Sequence, residues 1–224
     1  MSHVVHPYAH RLGILRDWKS RWFRRGKEYR DSLKNDVYIY EFLKKRLKGF
    51  YAGAVEIERS GEMLKVIIKT ARPGMLIGRQ GEGAAHLKEE LSSYMRKRKM
   101  HVKDVRIEIE EIRFPESNAR VVAQMIVEGL ERRLPFRRVL KQTMDKVKAN
   151  KEVKGARFAI SGRLGGAEMS RSEEIKSSRL PLQTFRADVE FAREIAVLPY
   201  GTIGVKVWVY KGEKFSEKSQ TRHK

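Results

Sequence analysis

Leu76-Ile77-Gly78-Arg79-Gln80-Gly81-Glu82 is the stretch on which the reading of this chain turns. A Gly-x-x-Gly turn lets the backbone pass close to a phosphodiester chain, because neither glycine carries a Cβ to hold it off. The two central residues, one of them Arg79, then face the phosphates. A glycine pair alone is a common turn, so its meaning depends on what flanks it.

Upstream, Tyr38, Phe42, Leu43 and Leu47 recur at helical spacing from Asp36 onward, and Gly49 supplies a stop. Two strands follow. Ala54 to Glu58 alternates Val55 and Ile57 with glutamates, Ser60-Gly61 turns, and Leu64, Val66 and Ile68 share one face of Met63 to Thr70. Pro73-Gly74 ends the strand pattern, and Met75 to Gly78 reads as a short helix. Glu82 to Lys99 reads as a longer helix with Ala85, Leu87, Leu91 and Met95 on its apolar side, before a last strand through Val105, Ile107 and Ile109. A glycine loop between two helices, with strands before and after, resembles a type II KH domain over residues 36–112. The resemblance implies a clamp on about four nucleotides of single-stranded nucleic acid, with Gly78, Arg79, Gln80 and Gly81 as its contacts.

The composition agrees with a polyanionic partner. There are 49 Lys+Arg against 28 Asp+Glu in 224 residues, a formal charge of +21, and an excess of one sign destabilises the compact state unless something neutralises it. An anionic membrane surface is the competing partner. No apolar run approaches the roughly 18 residues needed to span a bilayer, and the polar, histidine-bearing start is unlike a cleavable signal. Nucleic acid without a membrane is the expectation. Cysteine is absent, which removes disulfides, Cys-ligated zinc, iron–sulfur clusters and thiol catalysis together and fits a cytoplasmic setting.

Residues 1–35 read as a basic, aromatic extension. The first 34 hold nine Lys/Arg and three Asp/Glu, with Trp18, Trp22, Phe23, Tyr8 and Tyr29 interleaved among Arg11, Arg16, Arg21, Arg24 and Arg25. Such spacing suits a segment lying along RNA, with Arg11 and Arg21 as contacts. It equally suits tryptophans that plug a groove on the protein itself. His3, His6 and His10, without Cys or paired carboxylates, predict no metal.

Beyond Phe114-Pro115, residues 113–211 read as a second α+β domain of two helices on an antiparallel sheet. Val122, Ile126 and Leu130 mark one helix, Pro135 opens the next, and Phe136, Leu140, Met144 and Val147 mark its apolar stripe. Strands follow through Ala156, Phe158 and Ile160, through Ala187, Val189 and Phe191, and through Ile203 to Val209. Residues 212–224 are polar and basic, as expected of a flexible tail.

Ser161-Gly162-Arg163-Leu164-Gly165-Gly166-Ala167-Glu168 lacks the Gly-Lys-Ser/Thr of a phosphate loop. It reads as a glycine hairpin presenting Arg163 and Arg171 outward, as candidate RNA contacts. With Leu180-Pro181-Leu182-Gln183-Thr184-Phe185-Arg186-Ala187-Asp188, it closely resembles the signature of the family of the bacterial third protein of the small ribosomal subunit. Val5-His6-Pro7, Arg11-Leu12-Gly13-Ile14, Thr70-Ala71-Arg72-Pro73-Gly74 and Tyr200-Gly201-Thr202-Ile203-Gly204-Val205-Lys206-Val207-Trp208 extend the match over nearly the whole chain.

The resemblance implies a non-enzymatic constituent of the small-subunit head, without cofactor. Its partners would be ribosomal RNA, through residues that include Arg72, and neighbouring head proteins, expected to be ribosomal proteins ten and fourteen. It also implies that Arg137, Arg138 and Lys141 sit at the messenger RNA entrance. On a helix, Arg137 and Lys141 are i, i+4 and Arg138 lies about 100° round from Arg137, a pattern that also describes a solvated face. Three departures stand out. The loop centre is Arg79-Gln80, where the family more often has two lysines. Ser172-Glu173-Glu174-Ile175-Lys176 lacks the family's adjacent aromatics, and Gln142 fills an often basic position.

Two other classes compete. A free KH-type RNA regulator would act off the ribosome. A metal-dependent nuclease could use Glu108 and Glu110, although carboxylates alternating with Ile107 and Ile109 read as the solvent face of an edge strand.

Overall fold

The structure is a computed structural model describing residues 5–61, 63–98, 100 and 104–215. It falls into two compact units. One is Trp18–Pro115, and the other combines Met1–Asp17 with Glu116–Lys224. The expected N-terminal extension is therefore divided. Its first part, with the short helix α1 (Pro7–His10), packs with the C-terminal residues, and its remainder belongs to the central unit.

The central unit starts with the short strand β1 (Ser20–Arg21) and the long helix α2 (Gly26–Arg46). That helix begins ten residues before its expected start. Its buried stripe continues through Ser32 and Asp36 before reaching Ile39 and Leu43. Polar residues occupy the first two buried positions, so hydrophobic periodicity could not reveal them. Asp36 is satisfied there by the Arg59 guanidinium at 2.5 Å and by the Trp22 indole N–H at 2.7 Å.

Strands β2 (Ala52–Ser60) and β3 (Met63–Thr70) pair antiparallel. Helices α3 (Pro73–Ile77) and α4 (Glu82–Lys97) follow, separated by the glycine loop, and β4 (Asp104–Glu111) closes the unit. The sheet order is β1-β2-β3-β4, with β1 parallel to β2 and β4 parallel to β3. Val55, Ile57, Leu64, Val66 and Ile68 meet Leu43, Leu87 and Leu91 in one core. This is the element order expected of a type II KH domain.

In the other unit Asn118 caps α5 (Ala119–Glu131), its side chain accepting from the backbone N–H groups of Arg120 and Val121. Helix α6 (Phe136–Ala149) follows the turn at Pro135. The strands are β5 (Gly155–Gly162), β6 (Arg171–Ser177), β7 (Ala187–Leu198) and β8 (Gly201–Glu213), in the antiparallel order β6-β5-β8-β7. The glycine hairpin joins β5 to β6 as expected. Strand β6, whose single large apolar residue is Ile175, had no hydrophobic alternation to announce it. One sheet face packs on α5 and α6 around Ile126, Leu140, Phe158 and Val207. On the other, Ala187, Val189, Trp208 and Tyr210 form a smaller core with Leu180, Leu182 and Phe191.

The start of the expected tail is ordered. Strand β8 runs through Gly212 and Glu213, and the Lys214 backbone N–H donates to the Arg186 carbonyl at 2.9 Å. The rest of that tail, from residue 216, lies outside the described residues, as does His3. No helix is long and apolar enough to cross a membrane, and no group of three or more His, Cys, Asp or Glu could hold a metal ion, among the described residues.

Candidate nucleic-acid interface

The loop Gly78–Gly81 projects between α3 and α4 with Arg79 and Gln80 exposed at its tip. Gly78, Gln80 and Gly81 all adopt positive φ, at 73°, 51° and 86°. Two of these positions are glycine, where the conformation is unstrained, and Gln80 bears the strain of an L residue there. A further glycine makes the turn possible. A Cβ on Gly83 would lie 2.6 Å from the Leu76 carbonyl oxygen and 3.0 Å from that of Ile77. Gly83 was not singled out from the sequence, although its place two residues beyond the loop was visible.

Arg72 stands at the base of α3. Its guanidinium lies 4.4 Å from the Tyr51 ring centroid, and its backbone N–H donates to Thr70 Oγ1, which in turn donates to the Phe50 carbonyl. Met75 and Ile77 are exposed beside the loop. The loop and the short helix before it thus carry a cation at the tip, an arginine over a tyrosine ring and two exposed apolar side chains, residue types that serve phosphate and base contacts. It also sits at the N-terminus of the 16-residue α4, the positive end of that helix.

The open face of the KH sheet is different. Arg21 pairs with Glu56 at 2.5 Å and Glu58 at 3.1 Å. Lys65 pairs with Glu108 at 2.8 Å, and Lys69 with Glu56 at 2.9 Å and Glu110 at 3.5 Å. The hydrogen bond to Glu108 holds the Lys65 ammonium pKa above its ordinary value. The expected RNA contact Arg21 is thus neutralised on the sheet, and Glu108 and Glu110 are members of an ion-pair lattice.

Arg11 is a clear correction. It is fully buried. Its Nε donates to the Ala187 carbonyl at 2.5 Å, and its Nη groups donate to the carbonyls of Pro7, Pro181, Leu182 and Thr184. A side chain so enclosed fastens the N-terminal segment to its own unit and is not offered to RNA. Burial accordingly lowers its pKa. The two tryptophans separate. Trp22 bonds Asp36 within the KH unit, whereas Trp18 is exposed, as is Phe23.

In the other unit α6 buries Val139, Leu140, Thr143 and Met144 and leaves Arg137, Arg138, Lys141 and Gln142 on the solvent side. Arg137 is bound by Glu173 at 3.2 Å, and Arg171 approaches the same carboxylate at 3.6 Å. Both guanidinium groups flank the Phe136 ring, at 5.7 and 5.5 Å from its centroid. The structure therefore brings Arg171 of the hairpin to the α6 cluster, through a glutamate and a phenylalanine that sequence reasoning did not connect. Arg163 stays with the hairpin, donating to the carbonyls of Ala167 at 2.9 Å and Tyr200 at 3.1 Å.

Comparisons with known proteins agree with this division. Residues 38–117 match the KH domain model, and residues 126–209 match the model of ribosomal protein S3, C-terminal domain. The small ribosomal subunit protein uS3 of Coxiella burnetii is 42% identical over 220 residues, 98% of this chain and 94% of that relative. The protein of the same name from Caldicellulosiruptor saccharolyticus is 41% identical over 224 residues, covering 100% of this chain and 98% of its own. That of Clostridium tetani is 39% identical over 222 residues, covering 99% and 98%.

Proposed function

The chain belongs to the family of the small ribosomal subunit protein uS3, and from that premise we propose that it is a structural, non-enzymatic constituent of the subunit head that helps form the messenger RNA entry channel. In this role it binds ribosomal RNA in the cytoplasm chiefly by neutralising phosphates, with the Gly78–Gly81 loop and Arg72 as one contact. Ribosomal proteins ten and fourteen are its proposed neighbours. Arg137, Arg138 and Lys141 touch the incoming message, with Arg171 beside them.

The observation that carries this reading is the solvent side of α6. Arg138 and Lys141 are exposed and pair with no carboxylate among the described residues, and the Arg137 side chain is 75% exposed. Three cations on one rigid helix can follow a moving strand without base preference, since phosphate contacts position and do not specify.

The test is a subunit reconstituted with Arg137→Ala, Arg138→Ala and Lys141→Ala together. Assembly should be intact, because none of the three is buried, while translation through a hairpin in the message slows. Unwinding at the normal rate would refute the entrance assignment.

A further inference from the structure

The cations of the KH unit are unevenly neutralised. Those facing out from its sheet pair with glutamates or, for Arg106, with Asp104. On the helical side a different cluster is built between α2 and α4. Arg98, which caps the C-terminal end of α4, places its guanidinium 3.8 Å from the Tyr38 ring centroid and 5.0 Å from that of Tyr94. Tyr94 stacks in turn on Phe42 with centroids 4.7 Å apart and planes 25° from parallel. Lys34, one turn before Tyr38, brings its ammonium within 6.0 Å of the same Tyr38 ring. Both cations are exposed, and neither pairs with a carboxylate among the described residues.

We propose that Lys34, Tyr38, Tyr94 and Arg98 form a second RNA contact on the KH unit, separate from the glycine loop. Its ligand is an unpaired nucleotide. The Arg98 guanidinium lies against the Tyr38 ring yet stays exposed, and RNA bases stack on arginine planes and on aromatic rings alike. The edge of the same group carries donors suited to a phosphate, and the Lys34 ammonium supplies a second charge. Because the Tyr38 and Tyr94 rings already hold Arg98 in place, little side-chain freedom is lost when the nucleotide arrives. An acidic protein segment would satisfy the charges but make no use of the aromatic rings beside them.

The experiment uses the full chain and a twelve-nucleotide oligouridine carrying 4-thiouridine. Photocrosslinks should appear in the peptides containing Tyr38 or Tyr94. Arg98→Ala should remove them and weaken binding at that site about tenfold, as expected for loss of one stacked base. Lys34→Ala changes no buried side chain, so it keeps the test readable if Arg98→Ala loosens α2 from α4. It should make the log–log salt slope shallower by about 0.7. Crosslinks confined to other peptides, or an affinity and slope unchanged in both variants, would overturn the proposal. So would competition by polyglutamate as effective as by oligouridine at equal charge.

Discussion

Arg11 and Ala187 are 176 residues apart in sequence, yet the Arg11 Nε–H donates to the Ala187 carbonyl oxygen at 2.5 Å inside a fully buried pocket. Four further carbonyls accept from the same guanidinium. The bonds to Ala187 and Pro7 are buried and those to Pro181, Leu182 and Thr184 partly buried, and a buried acceptor that loses its donor costs about 1–3 kcal/mol. Arg11→Met should therefore destabilise the C-terminal unit by about 3 kcal/mol, read as a lowered urea midpoint. Arg11→Lys should not restore it, because a point-like ammonium cannot serve carbonyls arrayed around a planar fork. Equal stability of the methionine variant and the parent would show that the pocket repacks without the charge.

Beside Ala187 lies Asp188, also buried, with Arg16 at 2.5 Å and Lys214 at 2.8 Å. Burial works to raise its pKa. The Lys214 hydrogen bond and the charges of Arg16, Lys214 and Lys211 outweigh it and hold the carboxyl below its ordinary value. A carboxylate depressed in the folded state contributes stability that is fully present above its unfolded pKa, near 3.9. That contribution is lost as pH falls below about 4, at no more than about 1.4 kcal/mol per pH unit from this one group. Unfolding free energies measured between pH 2.5 and 7 should show this slope in the parent chain. Asp188→Asn should be less stable at pH 7 by about 1–2 kcal/mol, since it weakens the charge-assisted hydrogen bonds to Arg16 and Lys214 while the cations left behind stay partly exposed, and should lack Asp188's share of the acid slope. An unchanged slope in the variant would assign the acid loss to other carboxylates.

The two glycines after the loop tip should respond differently to alanine. At Gly81 nothing lies within 4 Å of an added Cβ, so Gly81→Ala meets only the strain of φ 86°, roughly 1–2 kcal/mol. At Gly83 the added Cβ would sit 2.6 Å from the Leu76 carbonyl oxygen, which is backbone and cannot swing aside. Gly83→Ala must push α3 away from α4, at about 1–3 kcal/mol for overpacking, and should also weaken RNA binding because the loop changes shape. Thermal unfolding together with oligouridine titration checks both arms. RNA affinity untouched in Gly83→Ala would mean that the loop tolerates the displacement.

The contrast between these positions shows how much could be read from the sequence. The central unit was legible because Val55, Ile57, Leu64, Val66 and Ile68 alternate as a half-buried sheet must, and the glycine loop fixed what lay between the helices. The start of α2 was not, since its buried positions are Ser32 and Asp36, and the Asp36 partners Trp22 and Arg59 are supplied from outside the helix. Strand β6 escaped for a related reason: as a polar edge strand it takes its shape from pairing with β5. Arginines look alike in a sequence whether buried or exposed, so Arg11 in its pocket, Arg21 on its glutamates and Arg138 in solvent carried the same expectation of an RNA contact. Burial and partner geometry, which depend on contacts up to 176 residues away, separate them.

Glu173 provides the sharpest test of the α6 cluster. It sits between Arg137 and Arg171, so it removes charge from the place where a strand would be held. Glu173→Gln should change stability by no more than about 0.5 kcal/mol, because the Arg137 side chain is 75% exposed and exposed pairs contribute little. Its affinity for single-stranded RNA should rise, with a salt slope steeper by about 0.7 for each additional phosphate neutralised. Glu174→Gln is the control. Glu174 is the next residue on β6 and, by strand alternation, points to the other face, where it pairs with Arg157 at 2.5 Å. The two variants change net charge equally. A rise confined to Glu173→Gln locates RNA against Arg137 and Arg171, whereas an equal rise in both would show that total charge alone drives binding and that this end of α6 is no particular site.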